Sequence, residues 1–411
     1  MEKIPSINLM RLKATIEESA RIGALPEGGL CRLALSDADK EMRDLFKQWM
    51  LEAQLEVRVD DFGNMYGRRE GRDKNAPVVL VGSHLDTQPE GGRFDGILGV
   101  LSALECVRTM NELGIETKRP IEIVNFTNEE GARFQPPLLG SGGVSGVFDK
   151  EFVMSQKDRD GKRFEDELQR IGYAGLASNR AKNIYSYIEL HIEQGPVLEK
   201  NEKSIGAVEG IQGMTWLEIV LEGESAHAGP TPMTLRKDAL LPAAKIITSI
   251  HELIQEMDQD ARVTVGRLDV MPNVTNCVPG KVVFTVDVRH REDHVREDAK
   301  KRICELIKSI SASHQIKVQI NTIWEVSATK FSEKIVQTIL ESANRFGYPA
   351  MRMYSGAGHD AQYMSRIAPT AMIFVPSVNG KSHCQEELTL WEDVEKGANV
   401  LLHVLLSLAQ E

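Results

Sequence analysis

Residues 79–98, VLVGSHLDTQPEGGRFDGIL, place a His-x-Asp triplet directly after an apolar run and a further aspartate in a glycine-rich loop. Side chains of these types at a strand end suit a metal ion. His84 offers a neutral imidazole nitrogen, and Asp86 lies two residues on, where it can orient and polarise that ring. Asp95 sits among Gly91, Gly92 and Gly96, which let backbone and ion come close. The plain alternative is a loop of capping aspartates with a solvated histidine.

A second apolar run, Ile121 to Phe126, leads into NFTNEEGARF, where Glu129 and Glu130 stand side by side. Adjacent carboxylates repel and at a strand end their side chains diverge. One can then bind a metal while the other carries a proton for the substrate, the division of labour that metal-assisted hydrolysis requires. YIELHIEQGPVLE sets His191 between Glu189 and Glu193, and VPSVNGKSHCQEE brings His383 just beyond the apolar run 371–375. Four apolar strands thus each deliver a candidate at or just past their ends, where open α/β sheets carry their active sites. Any one of these histidines alone reads as structural. Together His84, Asp95, Glu130, His191 and His383 supply the nitrogen and oxygen ligands of a two-metal hydrolytic site. The five cysteines (Cys31, Cys106, Cys277, Cys304, Cys384) show no C-x-x-C spacing, which argues against thiolate zinc ribbons and disulfide scaffolds.

Further along, His227 in ESAHAGPTPM lies among small residues and prolines, a setting suited to holding an imidazole against a carbonyl oxygen or to a purely structural role. Asn276 and Arg289 fall at turn and strand positions, and arginine recognises a planar carboxylate through two parallel hydrogen bonds, although most strand arginines are simply solvated.

The segments GSHLDT, FDG, TNEEGARF, ELHIEQG, AHAGPTPM, PNVTNCVPG, DVRH, SGAGHDA and the SH of GKSHCQEE resemble the hydantoinase/carbamoylase family of dinuclear-metal amidohydrolases. That family takes in N-carbamoyl-L-amino-acid hydrolases, β-ureidopropionases and allantoate amidohydrolases, and is related to carboxypeptidase G and the aminoacylase-type metalloenzymes. The match runs in order from about residue 25 to the C-terminus.

The resemblance implies two divalent ions per subunit: zinc, manganese, cobalt or nickel. Asp95 would bridge them, His84 and His191 would complete one, and Glu130 and His383 the other. Glu129 would be general base and acid, with Asp86 orienting His84. Carboxypeptidase-type relatives carry an acidic residue where this chain has His191, which leaves the site one unit more positive and suits a poorly electrophilic ureido carbonyl. His227, Asn276 and Arg289 would bind substrate, Arg289 at its carboxylate and His227 at the developing oxyanion, some of them reaching across a homodimer. Gln194 and Gly358 would make further substrate contacts. His359 and Asp360 are read as structural. The implied reaction is hydrolysis of the ureido C–N bond of an N-carbamoyl-L-amino acid. β-Ureidopropionase, allantoate amidohydrolase and an aminoacylase or aminopeptidase follow in that order, and a binding protein without catalysis comes last.

The elements that must position these residues form an α/β pattern. The first half reads helix at about 38–54, strand at 78–83, helix at 96–113 and strand at 120–126, which predicts a largely parallel sheet flanked by helices. From about Trp216 the pattern changes to strand, helix (236–257), strands (262–269 and 281–289), helix (294–312) and strand (316–323), an α+β insertion with an antiparallel sheet. After Ser332 the α/β pattern resumes and ends in a helix near 390–409. The expected organisation is a discontinuous catalytic domain, 1–212 and 330–411, with a lid and dimerisation domain at 213–329.

At 411 residues the chain exceeds what one core usually supports. The net charge of −11 argues against nucleic acid or an anionic membrane as partner. No apolar run approaches the roughly 18 residues of a membrane span, and the N-terminal segment has no apolar h-region. A cytoplasmic enzyme acting on a small ureido substrate with a carboxylate is the expectation.

Overall fold

The computed structural model describes residues 4–411, which divide into two compact units: 4–209 with 330–411, and 210–329. Each has its own apolar core.

In the larger unit the strands are β1 (Glu56–Val59), β2 (Met65–Arg69), β3 (Val78–His84), β4 (Ile121–Phe126), β5 (Ile184–Ile192) and β6 (Ile205–Ile211). In the smaller unit they are β7 (Gly213–Glu222), β8 (Ala226–His227), β9 (Arg262–Thr264), β10 (Leu268–Met271), β11 (Cys277–Val278), β12 (Lys281–His290) and β13 (Lys317–Val326). The chain returns through β14 (Thr329–Lys330), and the larger unit closes with β15 (Ala350–Ser355) and β16 (Thr370–Val375).

The large sheet is ordered β1-β2-β4-β3-β5-β16-β6-β14, with β15 on β6. Its centre, β4-β3-β5-β16, is parallel, and β2 and β6 flank it antiparallel. Central parallel strands are covered on both faces, which is why β3, β4 and β16 are apolar runs buried at every position. The helix Ile97–Glu112 lies against β3 and the closing helix Trp391–Gln410. It is buried on nearly all sides, in keeping with the all-round apolar sequence ILGVLSALECV.

The smaller unit pairs β10-β12-β7-β13 in one antiparallel sheet, with β9 also on β12. Leu217, Ile219 and Leu221 of β7 alternate with exposed or half-buried neighbours, and Val286 and Val288 of β12 do the same beyond a stretch, Val282 to Phe284, that is buried throughout. These face Ile246, Ile250 and Ile254 of helix Leu240–Met257 and Ile303 and Ile307 of helix Asp293–Ser313, spaced at four residues on one helical stripe. The segment 262–269, expected as one strand, is split. β9 and β10 pair with different stretches of β12, Arg289 to Asp287 and Phe284 to Lys281, and residues 265–267 between them make the shift.

Among the described residues no helix is long and apolar enough to cross a membrane.

Candidate metal centre

The C-terminal ends of β3, β4 and β5 bring their polar residues together, because parallel strands in register finish on one side of the sheet. His84 is the last residue of β3 and His191 the last but one of β5. Glu129 and Glu130 lie three and four residues past β4, and His383 stands eight residues beyond β16.

Asp95 is the centre of the cluster. Its Oδ1 lies 3.2 Å from His191 Nε2 and 3.6 Å from His84 Nε2, and its Oδ2 lies 3.3 Å from His383 Nε2. His383 Nε2 is also 3.4 Å from Glu130 Oε2. One carboxylate therefore faces two histidines with one oxygen and a third with the other. Burial would raise the Asp95 pKa, but the imidazoles of His191, His383 and His84 outweigh it and hold the group well below the usual carboxylate range.

These atoms fit cations. His84 Nδ1 lies 2.9 Å from the Asp86 carbonyl oxygen and His191 Nδ1 2.9 Å from that of Ile192. A carbonyl only accepts, so each Nδ1 bears a proton and each Nε2 is left to turn a lone pair inward. The amide of Gly96 donates to His191 Nε2 at 3.2 Å, and His84 Nε2 is buried with no hydrogen-bond partner. Acceptors thus face acceptors at 3.2–3.6 Å. Two ligands on a tetrahedral ion, each about 2.1 Å from it, would be roughly 3.4 Å apart. Burial disfavours charge on His84, yet Glu129, Asp95, Asp86 and Glu130 hold its pKa well above the usual value, so the pocket calls for positive charge. Three groups have ligand atoms close enough for an ion: His84, Asp95 and His191, all buried; Asp95, Glu130 and His383, of which His383 is exposed; and Glu189, His191 and His359, all buried.

The paired glutamates diverge. Glu129 Oε2 turns to His84 Nε2 at 3.4 Å, whereas Glu130 Oε2 turns to His383. Burial pushes Glu129 well above the usual carboxylate range, with Asp360, Glu130 and Asp95 adding to it against His84. Burial and Asp95 raise Glu130 to about 7.

Asp86 corrects one expectation. Its carbonyl, not its carboxylate, holds His84 Nδ1, and the carboxylate comes only within 4.0 Å of that ring. Both carboxylate oxygens instead accept from the amides of Glu129 and Glu130 at 3.3 Å, which draws them away from the imidazole and ties the β3 and β4 ends together.

Gln194 reaches the cluster: its Nε2 donates to Asp95 Oδ2 at 2.7 Å, and its Oε1 is buried with no hydrogen-bond partner. Gly358 precedes the buried His359. A Cβ there would meet nothing closer than 3.5 Å, so the protein's own packing does not demand glycine. His359 packs its ring on His191 with centroids 4.5 Å apart, and Asp360 is wholly buried.

His227, Asn276 and Arg289 belong to the smaller unit. β8 pairs with β11, setting His227 opposite Cys277 and beside Asn276, both exposed. Gly229 N–H donates to His227 Nδ1 at 3.1 Å, which leaves Nε2 as the protonated nitrogen, a donor. Arg289 lies at the other end of β12, about 26 Å from Lys281 at 3.3 Å per residue. Its Nε and Nη2 hold Asp287 Oδ2 at 3.0 and 2.7 Å, so a carboxylate already occupies one side of the guanidinium. His227, on the β8–β11 pair that leads into Lys281, sits toward the opposite end of β12 from Arg289.

Four further residues touch the cluster. Gln88 Nε2 donates to Glu130 Oε2 at 2.7 Å, and Ser382 Oγ donates to Asp95 Oδ2 at 2.9 Å. Glu387 accepts from the Phe94 and Asp95 amides, and buried Glu189 accepts from Ser83 Oγ and Ala361 N. In sequence they are ordinary polar loop or strand residues.

Residues 80–407 match the profile of Peptidase family M20/M25/M40. The chain is 44% identical to an N-carbamoyl-L-amino-acid amidohydrolase of Rhizobium meliloti, over 98% of this chain and 97% of that one. It is 35% identical to an allantoate amidohydrolase of Bacillus subtilis over 96% of each. A crystal structure of a hydantoinase/carbamoylase family amidase from Burkholderia multivorans superimposes with a TM-score of 0.97 at 47% identity, covering 99% of both chains. With its parallel sheet, its Asp95-centred cluster and this full-length likeness, the chain belongs to Peptidase family M20/M25/M40, within the hydantoinase/carbamoylase amidases.

Proposed function

We propose that this amidohydrolase cleaves the ureido C–N bond of an N-carbamoyl-L-amino acid, giving the free amino acid, carbon dioxide and ammonia. The observation that carries hydrolysis is the convergence of three imidazoles on the two oxygens of buried Asp95, with Glu129 alongside. The full-length likeness to the Rhizobium carbamoylase supports the ureido substrate.

Two divalent ions would be held by His84, His191 and Asp95 on one side and by Asp95, Glu130 and His383 on the other, and when bound they supply the Lewis acidity that acidifies water and polarises the carbonyl. Glu129 takes a proton from the attacking water and delivers it to the departing nitrogen. Its burial keeps that carboxyl basic enough for both tasks. The Nε2–H of His227 donates to the oxygen that gains negative charge, and Arg289 binds the substrate carboxylate. An N-carbamoyl amino acid is far shorter than the separation along β12, so His227 and Arg289 serve one substrate only if they come from two copies. This favours a homodimer in which the 213–329 domain acts as lid and shared wall. A reducing, cytoplasmic setting agrees with five free cysteines.

The test is ammonia release by the protein, reconstituted with manganese or zinc, from N-carbamoyl-L-methionine, N-carbamoyl-β-alanine and allantoate, beside freeing of methionine from N-acetyl-L-methionine. Fastest turnover of the carbamoyl-L-amino acid is the expected result. Preference for allantoate, the substrate named for the Bacillus relative, or for the β-alanine derivative would overturn the substrate assignment. Deacylation alone would overturn the ureido chemistry.

A further inference from the structure

Glu387 joins two loops that are distant in sequence. Its Oε1 accepts from the amides of Phe94 at 3.0 Å and Asp95 at 3.1 Å, and its Oε2 lies 3.1 Å from Ser382 Oγ. That hydroxyl is in turn 2.9 Å from Asp95 Oδ2. Glu387 is buried, and it occupies the space a side chain at Gly92 would need: a Cβ there would fall 2.0 Å from Glu387 Oε1.

The segment it anchors is strained. His383, next to Ser382, has φ +55°, a conformation that non-glycine residues rarely adopt and that the surroundings must hold in place. Glu387 N–H closes the turn on the Cys384 carbonyl at 3.2 Å, so its backbone and side chain grip both flanks of His383. The Asp95 Oδ2 to His383 Nε2 spacing of 3.3 Å is set between these two loops.

We propose that Glu387 is a positioning residue of the metal centre: by holding the Phe94 and Asp95 amides and the hydroxyl beside His383 at once, it fixes the spacing between the shared carboxylate and the exposed imidazole. It bonds neither ion. The proposal rests on the ligand assignment of Asp95 and His383 made above.

The experiment titrates the metal-free protein with Mn²⁺ by calorimetry, alongside metal content after dialysis and thermal melting, for wild type, Glu387→Ala, Glu387→Gln and His383→Ala. Glu387→Ala should weaken one of the two ions by about 10–100-fold, the range found when residues supporting a ligand are removed, and leave the other within about threefold. Glu387→Gln should restore wild-type binding, because its amide oxygen still accepts from both backbone N–H groups and its amide nitrogen donates to Ser382. Wild-type affinity for both ions in Glu387→Ala overturns the proposal. So does failure of Glu387→Gln to rescue. If Glu387→Ala does not fold, Glu387→Asp decides, since the shorter side chain cannot span both loops: weakened binding by a folded variant upholds the proposal, whereas wild-type binding or loss of the fold overturns it. His383→Ala tests the assignment beneath it. If that variant keeps both ions, the ligand set is wrong whatever Glu387 does.

Discussion

Glu129 and His383 show how far single residues determine behaviour here. On the proposed reading Glu129 carries a proton rather than a ligand bond, and Glu129→Gln should then lower kcat by about 10²–10⁴ while metal content, read by elemental analysis, stays at wild type. His383 behaves differently. The Asp95 hydrogen bond lifts its pKa to about 9, and burial with Asp95 lifts Glu130 to about 7. Both groups must lose a proton before they can hold a cation. Metal and protons therefore compete, and apparent metal affinity should rise with pH through 7 and up to about 9. Calorimetry in buffers of different ionisation enthalpy should show protons released at pH 7, and the absence of release would refute the assignment. At this scale the residues that gather around Asp95 were readable because histidines and carboxylates recur after apolar runs. Glu387, Ser382 and Gln88 were not, since nothing in sequence separates buried Glu387 from exposed Glu386 next to it.

Elements were legible wherever burial imposes a pattern. The expected strands at 78–83 and 120–126 are Val78–His84 and Ile121–Phe126, and the helix at 96–113 is Ile97–Glu112. The helix expected from 236 begins at Leu240, because Asp238 Oδ1 accepts from the Leu240 amide and starts it there. The outer pair β1 and β2 was missed, both being short, four and five residues. His290, the last residue of β12, is buried. The loop-to-helix junction at Gly96 is the most constrained of these elements. Its φ is +66°, and an added Cβ would lie 2.3 Å from the His84 ring. Gly96→Ala should therefore displace His84 and destabilise the protein by about 1–3 kcal/mol from the backbone alone. Denaturant unfolding and metal content together check this, and a stable, fully metallated variant would contradict it.

At the scale of the molecule, two cores and a chain that leaves one unit and returns were expected from the change of pattern near 213 and its reversal after 330. Which copy supplies which residue was not readable, because it depends on the separation of His227 and Arg289 along β12. If His227 serves the neighbouring subunit, inactive Glu129→Gln and His227→Ala proteins should regain activity when mixed under conditions that exchange subunits. The ceiling is about a quarter of wild type, since half of the dimers are mixed and each then has one intact site. No recovery would place His227 and Glu129 in the same subunit's site. The strand order has a further consequence, for synthesis. β5 and β6 do not pair with each other; β16 lies between them, and it is made some 160 residues after β6. Until then a growing chain carries the buried edge of β5 uncovered, an invitation to pair with another chain. A ribosome-bound chain arrested before Thr370 should need chaperone cover to stay soluble, and one released there should aggregate in a sedimentation assay while the full chain does not.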